Sequence, residues 1–473
     1  SAASDVYKRQ MYKILIGGNK MKYIIVGTSH AGYEVIQTLL KEDKDADIHV
    51  YESGDKPSFL SCGIQSYLED VSPSLDSLHY ANEPSYKDQG VNIHVNSTVT
   101  DIDTEQKVIT VNQNGNTEQV NYDKLFLSPG GKPVTPPVEG IDQYNHVLFM
   151  RGRDWADQVK SRMSNAKKAV VVGGGYIGIE AAEAFAKAGI QTKVIDVADR
   201  ILSTYLDQEF TDILEDNAKE HGLEFIGGET VQSLNGDEQG NVTKVITDKN
   251  EYEADTVLFA VGVQPATDWL EGKIDLGKKG VITINHHQQT SAKDVYAGGD
   301  ATLVPFAPVE EDRYIALATN SRRQGVTAAK NMLGHDMTMP RVSGTSGLQL
   351  FDYKFGQTGI HGTEQDNYDG NLGQKYVKEL IRPKFMQDEI PVHMKIIYDE
   401  DSHKILGAQL MSKENITKSI NTMSIAISAG YTLEQLAVQD FFFQPDYDRP
   451  WNYLNVLAQQ ALNDTFGSDQ MLF

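Results

Sequence analysis

The sequence has little cysteine and no long apolar segment. Cysteine occurs once, at Cys62, so no disulfide can form within the chain and no redox mechanism can use two cysteines of one chain. Chains without disulfides are typical of reducing compartments, so we expect a cytoplasmic protein. No apolar run approaches the roughly 18 residues that a membrane-spanning helix needs, and we therefore expect no membrane partner.

Basic residues are also scarce. The chain has 43 lysines and arginines against 66 aspartates and glutamates, which gives a formal net charge of -23. This balance disfavours a phosphate backbone as ligand, so we expect no nucleic-acid partner. The 473 residues, 40% of them hydrophobic, are enough for two or three domains. Residues 1–20 lack the pattern of a secretory signal, and we interpret them as a leader outside the native fold.

What the chain does contain is a repeated strand–helix–strand pattern. The predicted elements are Met21–Gly27, Ala31–Leu40 and Ile48–Glu52 in the first copy, and Ala169–Val172, Gly178–Ala188 and Lys193–Asp196 in the second. Such units build parallel sheets covered by helices, which predicts an α/β fold with two Rossmann-like, dinucleotide-binding domains.

The pattern changes near Arg341. Val392–Tyr398 and Ile405–Leu410 alternate in polarity as antiparallel strands do, and they precede predicted helices Ile416–Ser428 and Trp451–Ala461. This favours a C-terminal α+β domain. The proline-rich segment Lys132–Val138 has the composition of a crossover between domains.

The loop of the second unit is Gly173-Gly174-Gly175-Tyr176-Ile177-Gly178, a full G-x-G-x-x-G between a strand and a helix. Its glycines allow a tight turn, close approach to a pyrophosphate and close helix–strand packing, and the helix N-terminus favours the anion. Asp196 follows about 20 residues on, where a carboxylate binds a ribose 2′-hydroxyl and repels a 2′-phosphate. We therefore predict NADH rather than NADPH; the alternative is an ordinary strand–helix turn.

The loop of the first unit, Gly27-Thr28-Ser29-His30-Ala31-Gly32, is degenerate because Ser29 replaces the middle glycine. Glu52 ends the next strand, and by themselves these residues fit a dinucleotide loop or a simple turn. Far downstream, Asp294–Asp300 forms a strand that ends in Gly-Gly-Asp, with Gly299 and Asp300 suited to a flavin's ribityl chain. We predict an FAD-binding domain at 21–132 and 264–340, interrupted by an NADH-binding domain at 133–263 and followed by an interface domain at 341–473.

The segment Ser58–Gly63, which contains Cys62, gives the most specific family signal. Three further segments are typical of the same family: Tyr176–Glu180, Ala316–Asn320 and Asp440–Pro445. From Met21 to about Leu462 the sequence resembles the pyridine nucleotide–disulfide oxidoreductases, in their single-cysteine branch. The resemblance implies FAD and NADH as cofactors, and a homodimer or homotetramer formed through the C-terminal domain.

The resemblance also implies further cofactor-binding positions. They are Ser128, Pro129, Gly130, Gly131, Arg151, Tyr205, Gly262, Leu317, Ala318 and Thr319. Tyr176 could belong to the core, but the resemblance implies that it covers the flavin until nicotinamide displaces it.

Within the branch, the resemblance points two ways. The features that resemble NADH peroxidase are Glu34, Arg322 and Met150–Asp154. The features that resemble water-forming NADH oxidase are Arg449–Asn455 and the proline-rich crossover, and Ala31 also departs from the peroxidase pattern. We expect an NADH peroxidase that reduces hydrogen peroxide to water. The alternative is an oxidase that reduces dioxygen. Coenzyme A disulfide reductase is less expected because no basic cluster for its phosphates is apparent, and a flavin-binding NADH sensor is the non-enzymatic alternative.

Cys62 is the predicted reactive residue. A lone cysteine is more often a small buried hydrophobe, but the family segment around Cys62 reverses that expectation. A predicted helix, Ile64–Glu69, follows it, and a helix N-terminus stabilises a thiolate. Attack on peroxide would give a sulfenic acid, which only electrons from NADH could reduce because no second cysteine exists. His30, neutral at a helix start, would handle a proton unless it is an ordinary loop histidine. Glu34 and Arg322 form either part of the site or a structural ion pair.

Overall fold

The computed structural model describes residues 20–150, 152–309 and 311–464. The predicted leader therefore lies outside the described residues, except for Lys20. The strands, in chain order, are β1 Lys22–Val26, β2 Asp47–Tyr51, β3 Asn92–His94, β4 Ser97–Asp103, β5 Val108–Gln113, β6 Asn116–Asn121, β7 Lys124–Leu127, β8 Gly131–Pro133, β9 Val147–Phe149, β10 Lys168–Val172, β11 Gln191–Ile195, β12 Leu223–Ile226, β13 Val231–Gly236, β14 Val242–Thr247, β15 Glu251–Glu253, β16 Thr256–Phe259, β17 Val263–Pro265, β18 Val295–Ala297, β19 Val304–Pro305, β20 Asp312–Arg313, β21 Ser346–Leu350, β22 Tyr353–Gly359, β23 Leu372–Leu380, β24 Pro391–Asp399 and β25 Ile405–Ser412.

Helices cover the sheets and connect their strands. The α-helices, in chain order, are α1 His30–Glu42, α2 Ile64–Leu68, α3 Glu83–Asp88, α4 Gly152–Met163, α5 Tyr176–Lys187, α6 Gln208–Glu220, α7 Ala318–Met332, α8 Ile420–Ala429, α9 Leu433–Ala437 and α10 Tyr453–Ala461. None of the described helices is long and apolar enough to cross a membrane.

Two five-stranded parallel sheets organise most of the chain. The first fold has the strand order β18-β7-β1-β2-β3, and the second fold has the order β12-β11-β10-β16-β9. The central strands β1 and β10 have sequences KYIIV and KAVVV and are buried after their first residue, as strands covered on both faces are. Both predicted strand–helix–strand units are confirmed, with element ends shifted by at most two residues.

The C-terminal sheet is antiparallel, with the order β21-β22-β25-β24-β23. The predicted strands within it are confirmed. The predicted helix Ile416–Ser428 begins late, at Ile420, because Thr417–Ser419 forms a 3-10 turn. The helix predicted from Trp451 begins at Tyr453, where the Asn452 side chain accepts from the amide of Leu454 and caps it.

The proline-rich crossover forms part of a two-stranded ribbon. Its first residues belong to β8, which pairs antiparallel with β17. The chain therefore leaves the first fold and returns to it along adjacent strands. The predicted boundaries after residues 132 and 263 lie in this ribbon, and the division into domains stays a prediction.

Candidate active site

The first loop closes against the strands beside it. The amide of Gly27 donates to the Tyr51 carbonyl at 2.9 Å. Thr28 donates to one Glu52 carboxylate oxygen from its amide (3.1 Å) and from its hydroxyl (2.5 Å). A Cβ at Gly32 would lie 2.0 Å from the Gly27 carbonyl oxygen, which is an impossible contact. Gly27 has φ +89°, and a Cβ there would lie 2.4 Å from the Ser128 carbonyl oxygen, so the first and third positions of the loop both require glycine.

The second loop has the same construction. The amide of Gly173 donates to the Ile195 carbonyl at 2.8 Å, and the Asp196 carboxylate accepts from the amides of Gly174 and, at 2.8 Å, Ala198. A Cβ at Gly178 would lie 1.9 Å from the Gly173 carbonyl oxygen. Asp196 therefore lies beside the loop, where the ribose of a bound nucleotide would be expected.

Both helices that follow these loops begin with unoccupied amides. Ser29 precedes α1 and Gly175 precedes α5, and in the described part of the chain no side chain caps either helix. Uncapped first-turn amides form an anion site, so both loops fit the pyrophosphate of a dinucleotide. Ala31 and Ile177 are each the second residue of these helices.

Most of the other predicted FAD positions meet at one edge of the first sheet. Strands β1, β7 and β18 are neighbours, and their carboxyl ends lead into Gly27, Ser128 and Gly298–Asp300. The Ser128 hydroxyl donates to the Val26 carbonyl at 2.7 Å, and the Gly299 amide donates to Gln324 on α7 at 2.9 Å. The remaining predicted positions are placed as follows: Pro129 and Gly130 follow Ser128, Gly131 begins β8, Gly262 precedes β17, and Leu317, Ala318 and Thr319 form the start of α7. Arg151 lies outside the described residues.

Tyr176 and Tyr205 are stacked, with ring centroids 3.8 Å apart and planes within 8°. The Tyr176 hydroxyl lies 2.9 Å from the Ser346 hydroxyl on β21, so the second loop contacts the C-terminal sheet directly. The sequence identified both tyrosines by resemblance. Ser346 had no signal, because the contact spans 170 residues of chain.

Cys62 lies in a 3-10 turn, Ser61–Gly63, which we call the cysteine turn, and its side chain is exposed. The helix predicted at Ile64–Glu69 is the short α2, five residues long, and its N-cap is Gly63. Cys62 therefore lies just before the first turn of α2, as predicted, and stabilisation of its thiolate by this helix terminus stays a prediction.

The cysteine turn is attached to the first loop. The Ser58 amide donates to the Thr28 hydroxyl at 2.9 Å, and the Ser58 hydroxyl donates to the Thr28 carbonyl at 3.0 Å. A Cβ at Gly63 would lie 2.6 Å from a Leu78 methyl group, so the turn is also packed tightly on its far side. These contacts hold the segment that leads into the cysteine turn against the nucleotide loop of the first fold.

His30, Glu34 and Arg322 form one cluster. Arg322 makes an ion pair with Glu34, and its guanidinium lies 5.3 Å from the ring centroid of Tyr80. The His30 ring stacks on Tyr80 at 5.5 Å, and the amide of Tyr80 donates to the Ser58 carbonyl at 3.1 Å. Tyr80, for which the sequence gives no signal, thus connects the cluster to the segment that carries Cys62.

The cluster sets the charge of His30. Burial, and then the positive charge of Arg322, lower the pKa of His30, while Asp300 and Glu34 act in the opposite direction. His30 Nδ1 is buried and has no hydrogen-bond partner within the described residues. A neutral imidazole with an unsatisfied nitrogen fits the predicted proton-handling role.

Helix α5 carries another ionisable group with a shifted pKa, Glu180, which the sequence offers no reason to single out. Burial, and then the charges of Glu183 and Glu69, raise the pKa of Glu180 to about 7. Glu180 lies one helical turn after Tyr176, close to the second loop. Carboxyl groups with raised pKa values are common at functional sites, and the sequence offers no signal for burial of this residue.

Comparisons with known proteins identify the family. Residues 21–325 match the pyridine nucleotide-disulphide oxidoreductase family, and residues 347–453 match its dimerisation domain. An NADH oxidase of Enterococcus faecalis is 41% identical over 94% of this chain and all of its own length. An NADH oxidase of Streptococcus pyogenes is 34% identical over 93% of this chain and 99% of its own length.

Solved structures agree. The water-forming NADH oxidase of Lactobacillus brevis, bound to NADH, has a TM-score of 0.91 and 37% identity, covering 94% of this chain and 98% of its own. The matches confirm the predicted α/β fold class, the family and the FAD and NADH cofactors. They support the oxidase, the alternative expectation from the sequence, better than the peroxidase.

Proposed function

The chain belongs to the pyridine nucleotide-disulphide oxidoreductase family, and we propose that it is a water-forming NADH oxidase that works in the cytoplasm. The observation that carries this proposal is the 41% identity, over 94% of the chain, to a relative named NADH oxidase. The proposed overall reaction consumes two NADH, two protons and one dioxygen, and it yields two NAD⁺ and two waters.

Bound FAD would take electron pairs from NADH on the second fold and supply them to the oxidant. The chain's own contribution is Cys62. When one NADH has reduced dioxygen to hydrogen peroxide, the Cys62 thiolate attacks the peroxide, so an S–O bond forms, the O–O bond breaks and water leaves after taking up a proton. The electron pair of a second NADH then converts the sulfenic acid to thiolate and releases the second water.

We assign the cluster around His30 to this peroxide step. His30, neutral because its pKa is lowered, offers a nitrogen that can accept a proton from peroxide and return it to the departing oxygen. Arg322 is held by Glu34, and its charge adds to the effect of burial in lowering the pKa of His30. The loop of the first fold positions this cluster, because α1 carries both His30 and Glu34.

NADH peroxidase is the second candidate, and the ion pair between Glu34 and Arg322 beside His30 favours it. These residue types were the features that resemble the peroxidase, and the structure brings them together. A peroxidase would take its hydrogen peroxide from solution rather than make it from dioxygen.

One assay on the FAD-loaded enzyme separates the candidates. NADH oxidation is followed in air with an oxygen electrode, and separately without oxygen after addition of hydrogen peroxide. An oxidase consumes two NADH per dioxygen and releases no peroxide. Fast turnover with peroxide but none with dioxygen would establish the peroxidase instead, and no turnover with either would leave only a sensor.

The second test replaces the reactive sulfur. We expect Cys62→Ser to retain FAD but to consume one NADH per dioxygen and release hydrogen peroxide, because the serine hydroxyl cannot form the sulfenic acid. The matched control is Ser61→Ala, an exposed neighbour in the same turn, which should keep the two-to-one ratio. A Cys62→Ser enzyme that still forms only water would refute the role of Cys62.

We also propose that the chain forms a homodimer or homotetramer through its C-terminal region. That region matches a dimerisation domain. It exposes three aromatic side chains within six residues, Phe442, Phe443 and Tyr447, which are 71%, 46% and 66% accessible. Aromatic side chains exposed together are typical of protein interfaces, and light scattering of the purified protein measures the assembly.

A further inference from the structure

Glu183 is a buried carboxylate that no cofactor role explains. It lies on α5, the helix that begins at the second loop, and only 1% of it is exposed. Burying a carboxylate costs several kcal/mol unless it is paired and hydrogen-bonded. Its partners therefore indicate what the residue does.

The partners of Glu183 come from three parts of the molecule. One carboxylate oxygen accepts from Gln65 Nε2 on α2 at 2.7 Å. The other accepts from the Phe351 amide in the turn between β21 and β22 at 2.6 Å, and it pairs with Lys187 Nζ at 2.9 Å. Glu183 thus links the helix after the cysteine turn, the helix of the second loop and the C-terminal sheet.

A second carboxylate reinforces the link to α2. Glu69, at the end of that helix, accepts from Gln65 Nε2 at 2.8 Å and pairs with Lys187 Nζ at 3.0 Å. Gln65 and Lys187 are therefore each held by both glutamates. Such a network has few alternative arrangements, because moving one donor leaves a carboxylate unsatisfied.

Cys62 lies between two sets of hydrogen bonds. Four residues before it, Ser58 is bonded to Thr28 in the first loop. Three residues after it, Gln65 is bonded to Glu183 on the helix of the second loop. The first set fixes the cysteine turn to the first fold, and the second set fixes it to the second fold.

We propose that Glu183, acting through Gln65, is a positioning residue that fixes Cys62 relative to the two nucleotide-binding loops. The inference rests on the proposed redox role of Cys62. Displacement of a reacting group by about 1 Å can cost on the order of 100-fold in rate, so loss of this link should impair the peroxide step selectively.

The test uses Gln65→Met, which keeps the side-chain length and removes the donor from a half-buried site. Because the chain has one cysteine, alkylation by iodoacetamide reports Cys62 alone. We expect alkylation of the FAD-loaded variant to change by about threefold or more, with a shifted pH profile, and the share of dioxygen released as hydrogen peroxide to rise about tenfold. Anaerobic flavin reduction by NADH should stay within about twofold, since Cys62 takes no part in that step.

Glu183→Gln and the double variant Gln65→Met/Glu183→Gln complete a double-mutant cycle. If the two residues act as a pair, the double variant resembles the more affected single variant, whereas additive effects would overturn the proposal. The matched control is Glu229→Gln, a glutamate 6% exposed whose carboxylate is bonded to Thr247, Asn250 and Tyr252 away from the cysteine turn. It should leave Cys62 alkylation unchanged.

Two results would refute the positioning role. One is wild-type alkylation and wild-type peroxide release in Gln65→Met. The other is an equal effect of Glu229→Gln, which would indicate general destabilisation. Failure of the proposed function gives a different result, because Cys62→Ser would then form only water whatever the Gln65 variant does.

Discussion

The two nucleotide loops differ in sequence and agree in construction. In each, the amide of the first glycine bonds to the carbonyl at the end of the next strand, at 2.9 Å for Gly27 and 2.8 Å for Gly173. In each, the following amide donates to the acid after that strand, Glu52 or Asp196. The full motif and the degenerate one therefore form the same hydrogen-bonded loop.

The middle position explains why the degenerate motif works. Ser29 has φ -72° and ψ -163°, and Gly175 has φ -79° and ψ -178°. Both are extended conformations open to any residue, so the backbone does not require glycine here. Only the first and third positions are constrained by close approach, and these are glycine in both loops.

The largest effect is expected at the third glycine of each loop. The Cβ of Gly32→Ala or Gly178→Ala would lie 2.0 or 1.9 Å from a carbonyl oxygen, and such overpacking costs about 1–3 kcal/mol or more. We expect Gly32→Ala to be purified without FAD, and Gly178→Ala to keep FAD but to bind NADH about 100-fold more weakly.

Flavin absorbance and calorimetric titration with NADH measure the two losses. Gly277→Ala, whose Cβ would meet its nearest neighbour at an ordinary 3.7 Å, is the control and should keep both cofactors. Loss of FAD from Gly178→Ala would show that the two folds are not independent.

The comparison also shows what sequence can predict. Glycine spacing, apolar strands and the acids after them are local, so both folds and their loops could be identified from short segments of sequence. The degenerate loop is ambiguous by sequence because its motif lacks the middle glycine, although the backbone at Ser29 does not need a glycine. Resemblance to the family supplied the rest, including Cys62 and the members of the His30 cluster.

Contacts between distant segments were not predictable. Tyr80 meets His30 across 50 residues of chain, and Gln65 meets Glu183 across 118. No local pattern marks either pair, because the residues near a tyrosine or a glutamate do not show whether its side chain is exposed or buried, or which distant residue it contacts. The helix after Cys62 is local by contrast and could be predicted, since α2 ends one residue before the predicted end at Glu69.

The acid at the end of the second unit gives the next largest effect. Asp196→Asn removes the charge that would repel a 2′-phosphate and weakens the bond to a ribose hydroxyl, a loss of about 1.5–3 kcal/mol for hydrogen bonds to a charged group. We expect the ratio of kcat/KM for NADH to that for NADPH to fall about 10- to 100-fold.

Steady-state kinetics with both nucleotides measure that ratio. Asp199→Asn, an exposed aspartate three residues on, should leave it unchanged. An unaltered ratio in Asp196→Asn would mean that the acid supports only the loop amides that it already binds.

Equivalent positions on the two helices differ in charge. Glu34 and Glu180 each lie four residues after the first residue of their helix, but Glu34 is paired with Arg322 whereas the pKa of Glu180 is raised to about 7. A raised carboxyl pKa contributes stability below its unfolded value of about 4.5 that is lost as pH rises through about 7. We therefore expect Glu180→Gln to be stabilised relative to wild type at pH 8 by about 2 kcal/mol more than at pH 5.

Urea unfolding at the two pH values measures this difference. Glu34→Gln is the counterpart, and it should be less stable than wild type at pH 8 because it leaves Arg322 without its partner. A Glu180→Gln variant with the same relative stability at both pH values would contradict the raised pKa.

The smallest effect is expected where the loops differ most in sequence. Ser29→Gly converts the first loop to the full motif without changing a backbone conformation that any residue adopts, so its effect on FAD affinity should stay within about 0.5 kcal/mol, or about twofold. Titration of the FAD-free protein with FAD measures this affinity. Gly175→Ser makes the reciprocal change in the second loop, where no described atom lies within 4 Å of a Cβ at position 175. If Ser29→Gly instead tightens FAD binding tenfold, the serine obstructs the pyrophosphate and the two loops are not equivalent. If both changes are nearly neutral, neither loop of this chain requires glycine at the middle position of the motif.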